Sequence, residues 1–217
     1  MRRAIVGEGV GTALLVTAVI GSGIMGERLA GGNAAIALLA NSFATAAALV
    51  ALIFTFAPVS GAHFNPVVTL VSVLERGTAR RELLPRIAAQ CLGAVAGVIA
   101  THWMFALDAV EFSTHRRTGA PQLWSEVVAT FGLIGVIHAT GKRPHVVPIV
   151  VAAYIAAAYW FTASTSFANP AVTIARALTN TFSGIAPVDV LPFIVAQVAG
   201  GLAAMALFRW LFGGGNR

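Results

Sequence analysis

Gly61-Ala62-His63-Phe64-Asn65-Pro66-Val67-Val68-Thr69 and Ser164-Thr165-Ser166-Phe167-Ala168-Asn169-Pro170-Ala171-Val172-Thr173 decide the reading of this chain. In each, an Asn-Pro pair follows a run of small or polar residues and opens a short apolar run. Pro is tolerated at the first position of a helix, where its missing N–H would have no partner, and Asn is a favoured N-cap. Both stretches therefore predict helix starts, with short helices from Pro66 to about Leu74 and from Pro170 to about Asn180. Helices of about ten residues cannot cross a bilayer, which takes about 20.

Other pairs flank these boxes. Glu8-Gly-Val-Gly-Thr12 is matched by Glu126-Val-Val-Ala-Thr130, and Gln90-Cys-Leu-Gly93 by Gln197-Val-Ala-Gly200. The pairs fall in the same order, which implies a duplication: repeat one at 1–107, repeat two at 121–212, joined by a loop at 108–120. Apolar stretches at Ala4–Met25, Ala34–Ser60, Ile87–Leu107, Val127–Thr140, Val146–Ala168 and Val190–Phe208 predict six spans. Of 217 residues, 58% are hydrophobic and 10% charged, whereas a soluble domain carries about 25% charged residues. A soluble enzyme is excluded. The chain is one polytopic domain, 1–217, all-α, with six transmembrane helices and two half-helices.

The net charge of +6 lies between spans and forms no aromatic-interleaved stripe, so nucleic acid is not a partner. Assigned to alternate loops, Arg2, Arg3, Arg76, Arg80, Arg81, Arg86, Lys142, Arg143, Arg209 and Arg217 share one side, and Arg28, Arg116, Arg117 and Arg176 the other. The positive-inside rule then places both termini in the cytoplasm. Glu8 interrupts the first apolar run, which is too long for a signal core, so it is an uncleaved span in what the compact loops suggest is a bacterial inner membrane. Cys91 stands alone and is expected to be a buried packing residue. The Gly213–Gly215 run suggests a disordered tail.

Three spans per half invert the second half relative to the first, and inverted repeats place sites near the midplane where broken helices meet. Irregular backbone survives there only if it is buried in protein or lines a cavity. Extended segments before Asn65 and Asn169, with carbonyls along a pore, make a channel.

Paired Asn-Pro-Ala-type boxes, with a Glu in the first span of each repeat, resemble the major intrinsic protein family of aquaporins and aquaglyceroporins. The resemblance covers essentially the whole chain and includes the loop before the first box with His63. It implies one pore per protomer, a homotetramer in the lipid bilayer, and a constriction at Asn65, Pro66, Val67, Asn169, Pro170 and Ala171. Two helix N-termini, each carrying about half a positive charge, would disfavour cations and protons there.

By the family's spacing, the outer filter falls at Thr45, Ala157, Ser166 and Val172. The family usually has Arg where Val172 stands, and glycerol channels follow that Arg with Asp where this chain has Thr173. A wide, uncharged ring is implied, similar to that of bacterial channels associated with arsenic resistance, which pass neutral metalloids and methylated arsenicals. Arg176 lies one turn beyond Val172, about 6 Å further out. It is a candidate vestibule cation, or an Arg that snorkels or pairs with a loop acid.

Glu8 and Glu126 are the carboxylates deep in spans, so they could relay protons. Their symmetry favours a buried structural role, accepting hydrogen bonds from the loops before the half-helices. His63 is a pore-lining candidate; His102 and His138, near span ends, are expected at the interface, and His115 and His145 in loops. No metal-ligand spacing, cofactor cradle or nucleophile constellation is present in the sequence. The function expected is a passive channel for small neutral solutes and water. The alternatives are a strict water channel, a proton-coupled transporter using the Glu residues, or a junction protein that has lost conduction.

Overall fold

A computed structural model describes residues 1–141 and 143–213; Lys142 and the Gly-rich end with Arg217 lie outside the described residues. The elements are α1 (Arg2–Leu29), α2 (Ala34–Ser60), α3 (Pro66–Leu74), a 3₁₀ turn (Arg80–Glu82), α4 (Leu83–Met104), α5 (Ala120–Thr140), α6 (Val147–Phe161), α7 (Pro170–Arg176) and α8 (Pro187–Gly213). α1, α2, α4, α5 and α8 are long and apolar enough to cross a membrane. α6 is shorter than expected. The apolar stretch Val146–Ala168 is one helix only to Phe161, because Thr162 turns extended and the chain must leave the helix to lead into α7. Fifteen residues rise about 22 Å, and Ser164, Ser166, Phe167 and Ala168 continue as buried irregular chain.

In each half the first helix packs on the third and the second helix closes beside the pair: α1 on α4 and α2, α5 on α8 and α6. Small residues set the approach. A Cβ on Gly93 would strike the Gly9 carbonyl, and one on Gly200 the Val127 carbonyl, so glycine at these matched positions lets α4 reach α1 and α8 reach α5. The outer faces carry Leu14, Phe43 and Leu92 exposed, as lipid contact requires, and all four Trp (Trp103, Trp124, Trp160, Trp210) stand exposed near helix ends.

The half-helices cross over. α3 buries Val67 and Val71 against Ile134 and Ala204 of the second half, and α7 buries Ala171, Val172 and Ala175 against Val16, Ile20, Ala94 and Val98 of the first. Cys91 is free but half-buried, at the edge of the latter cluster rather than inside it.

Candidate functional site: a cavity between two helix starts

Asn65 and Asn169 are the N-caps of α3 and α7, with Pro66 and Pro170 in the first turn. The Asn65 side chain accepts from Val67 N–H, and that of Asn169 from Ala171 N–H at 3.0 Å. Their amide nitrogens cross the centre: Asn65 Nδ2 donates to the Ala168 carbonyl at 2.7 Å and Asn169 Nδ2 to the Phe64 carbonyl at 2.8 Å. Each cap thus ties its helix to the loop leading into the other.

Those loops are strained at matched places. Ala62, Phe64, Ser166 and Ala168 all have φ near +50°, the left-handed region, which costs a residue with a Cβ roughly 1–3 kcal/mol. Buried carboxylates hold them. Glu8 accepts His63 N–H at 3.0 Å, Phe64 N–H at 2.7 Å and Gln90 Nε2 at 2.7 Å. Glu126 accepts Phe167 N–H at 2.9 Å, Ala168 N–H at 2.8 Å and Gln197 Nε2 at 2.7 Å. Gln90 and Gln197 each donate again, to Thr69 and Thr173, whose hydroxyls donate to the Asn65 and Asn169 carbonyls. Ser60 and Ser164, five residues before each Asn, accept from Ala62 N–H and Ser166 N–H.

Two arginines complete the loops. Arg86 Nη1 donates to the Ser60 carbonyl at 2.5 Å and sits 3.7 Å from Glu8; Arg117 Nη1 donates to the Ser164 carbonyl at 3.3 Å. Arg86 also grips Glu82 through two nitrogens, so it is a buried structural group in the first turn of α4 rather than in the loop to which its sequence position assigned it. Arg117 is held by the Gly184 carbonyl, and its burial lowers its pKa from the usual guanidinium value. Arg116 pairs with Asp189 across the same loop.

A cavity of about 530 Å³ passes these groups. It is lined at one end by Glu75, His138 and Val147, in the middle by His63, Asn65, Ala168 and Asn169, and at the other end by Thr45, Ser166, Val172 and Arg176. Ala157 is not part of it: that residue lies on the exposed face of α6, and Ile155 and Tyr159 point inward instead. Inward positions on this helix follow its own 3.6-residue phase, and counting back from Asn169 across an irregular segment missed it. Tyr159 Oη lies 3.2 Å from Thr45 Oγ1, so an aromatic hydroxyl occupies the wall where a methyl was expected.

His63 Nδ1 is 3.1 Å from Thr69 Oγ1. His102 is fully buried, with Nε2 2.7 Å from Thr179 Oγ1, and so is not interfacial. His138 Nδ1 faces Glu75 at 3.3 Å and its ring stacks on Phe212. Arg176 does not snorkel and meets no acid among the described residues: it is buried, its Nε donates to the Ser183 carbonyl, and its guanidinium lies over the Phe167 ring. No cluster of His, Cys, Asp and Glu fit for a metal ion occurs among the described residues.

A helical membrane domain with a cavity threading between two opposed half-helices defines a channel. The chain belongs to the major intrinsic protein family, whose sequence pattern matches residues 1–161. It is 51% identical over 213 residues to "Aquaglyceroporin AqpS" of Rhizobium meliloti (strain 1021), spanning 97% of this chain and 91% of that one. It is 36% identical over 149 residues to "Aquaporin TIP1-2" of Zea mays, covering 65% of this chain and 58% of the relative. The fold matches the aquaglyceroporin structure from Plasmodium falciparum at a TM-score of 0.76 with 19% identity, over 95% of each chain. The protein is accordingly a channel for water and small solutes, and not an enzyme.

Proposed function

We propose that the chain is a passive, bidirectional pore for small uncharged solutes larger than water, with Thr45, Tyr159, Ser166 and Val172 as its outer ring and Asn65 and Asn169 as its central donors. Glycerol-like molecules, neutral trivalent metalloids and methylated arsenicals are the solute classes. The observation that carries this reading is Val172, which lines the cavity directly after the second box with an apolar side chain. Each Asn amide nitrogen has one hydrogen committed to a carbonyl across the centre and a second left to offer a permeant. The apolar wall of Leu15, Val19, Leu49, Ile155 and Val172 favours solutes that carry some nonpolar surface past that donor pair. We place Pro66, Val67, Pro170 and Ala171 in the constriction as the turns that fix both Asn side chains, and Glu8 and Glu126 as the buried holders of the loops. The pore acts as a homotetramer in a bacterial inner membrane with both termini cytoplasmic.

Purified protein in liposomes tests this by stopped-flow swelling with water, glycerol, urea, arsenous acid and a methylated arsenical against empty vesicles. Rapid glycerol and arsenical entry is expected. Water flux without solute entry would make it a strict water channel. Saturable uptake that needs a proton gradient would return the Glu residues to a relay.

A further inference from the structure

Arg176 is a buried cation with no ion-pair partner among the described residues. Glu126, the acid that holds the adjoining loop, is already engaged by two backbone N–H groups and Gln197. The Arg176 guanidinium lies flat over Phe167, 3.4 Å from the ring centroid, and Arg117 stands 5.1 Å from the same ring. Only Nε of Arg176 is used, on the Ser183 carbonyl; among the described residues its two terminal nitrogens have no hydrogen-bond partner. The side chain lines the cavity.

A second group at that end is also unpartnered. Ser166 lines the same cavity and is 3% exposed, and its Oγ is buried without a hydrogen bond. A buried hydroxyl left unmet costs about 1–3 kcal/mol, and an unpaired buried charge costs more. Beside them stand the hydroxyls of Thr45 and Tyr159. Every polar side chain at this end can donate, and none is an acid.

We infer that Arg176 and Ser166 form a subsite for a small monovalent oxyanion at the outer end of the cavity. A planar guanidinium presents two parallel N–H groups to two oxygens of one anion, and the Ser166 hydroxyl, in the loop that leads into the same half-helix, supplies a further donor. Phe167 holds the guanidinium by its ring face, so its orientation is set before the ligand arrives. An anion seated there stands in the path of neutral solutes and slows them. The inference rests on the cavity being the conducting pore only for that last effect; binding itself does not require conduction.

Methanesulfonate is a suitable probe, being permanently anionic, tetrahedral and unable to cross lipid. Titration calorimetry on the whole protein in detergent should show binding of sodium methanesulfonate, with sodium chloride at equal ionic strength as control. Arg176→Gln should weaken that binding about tenfold or more, Ser166→Ala less, and Arg176→Lys should retain part of it because the charge survives without the planar fork. Thermal melting of each variant establishes that it is folded, and the Lys variant keeps the test open if the Gln variant is not. In liposomes, methanesulfonate should slow glycerol entry through the wild type, and the ratio of rates with and without it should approach one in Arg176→Gln. Absence of wild-type binding, or equal binding by wild type and folded Arg176→Gln, overturns the subsite. Binding with no glycerol flux in any condition leaves the subsite standing and removes the pore; glycerol flux with no binding does the reverse.

Discussion

The two loops that lead into α3 and α7 solve one backbone problem with two sets of side chains. Both place left-handed residues three and one before the Asn, both hang two N–H groups on a buried Glu, and both use Ser five before the Asn as a local acceptor. Their arginines arrive by different routes. Arg86 comes from α4, four residues before Gln90; the equivalent place before Gln197 is Phe193, whose ring meets Phe167 edge-on at 5.2 Å, and Arg117 reaches the loop from the connection between halves. His63 in the first loop answers to Phe167 in the second, and Ser72 to Arg176. The backbone requirement is what stayed common to both halves, and the supply of charge around it was free to diverge.

The largest test of that comparison is to remove each carboxylate. Glu8→Gln and Glu126→Gln each turn an acceptor of three hydrogen bonds into a group that must present N–H to N–H, at a cost of about 3–5 kcal/mol for a broken buried network. Glu8→Gln should be the worse, because Arg86 at 3.7 Å loses a counter-charge, whereas Glu126 has no arginine within ion-pair range among the described residues. Melting of the purified variants checks the order. Equal losses would mean that Glu82 alone satisfies Arg86.

Next in size is a pair that should not differ. Gly93→Ala and Gly200→Ala each push a methyl into a backbone carbonyl of the partner helix, and overpacking of this kind costs about 1–3 kcal/mol. Similar drops in melting temperature are expected; a clear difference would show that the halves differ in packing as well as in charge. Val172→Arg then probes the outer ring. It should reduce glycerol entry more than water entry in liposomes, and equal reductions would remove Val172 from the ring.

Much of this was legible because the repeat repeats its chemistry. Asn65 and Asn169, Glu8 and Glu126, Gln90 and Gln197 share residue type and order, and a helix N-cap followed by Pro has one local solution. The strands of inference failed where position depends on three-dimensional phase. Ala157 was reached by counting through Thr162–Ala168, whose residues do not advance with helical pitch, and Tyr159 was therefore missed. Arg86 and Arg117 look like loop charges in sequence, since nothing local shows that a strained carbonyl waits within reach. His102 carries no signal of its buried bond to Thr179, which lies in the other half.

The smallest effect bears on whether the shared element is truly shared. Ser60→Ala and Ser164→Ala each delete one neutral hydrogen bond to a backbone N–H, at 3.0 Å to Ala62 and 3.2 Å to Ser166. Such bonds contribute about 0.5–1.5 kcal/mol, and a donor left buried costs somewhat more. The carbonyls of both serines remain available to Arg86 and Arg117, so the arginines should stay in place. Melting should fall slightly and by similar amounts. A larger loss for Ser164→Ala would point to the loop before α7, where the arginine contact is the longer at 3.3 Å and Ser166 Oγ is unpartnered. That second loop would then be the one held less firmly by charge and more by its own hydroxyls, and the divergence between the halves would extend into the backbone that now looks common to both.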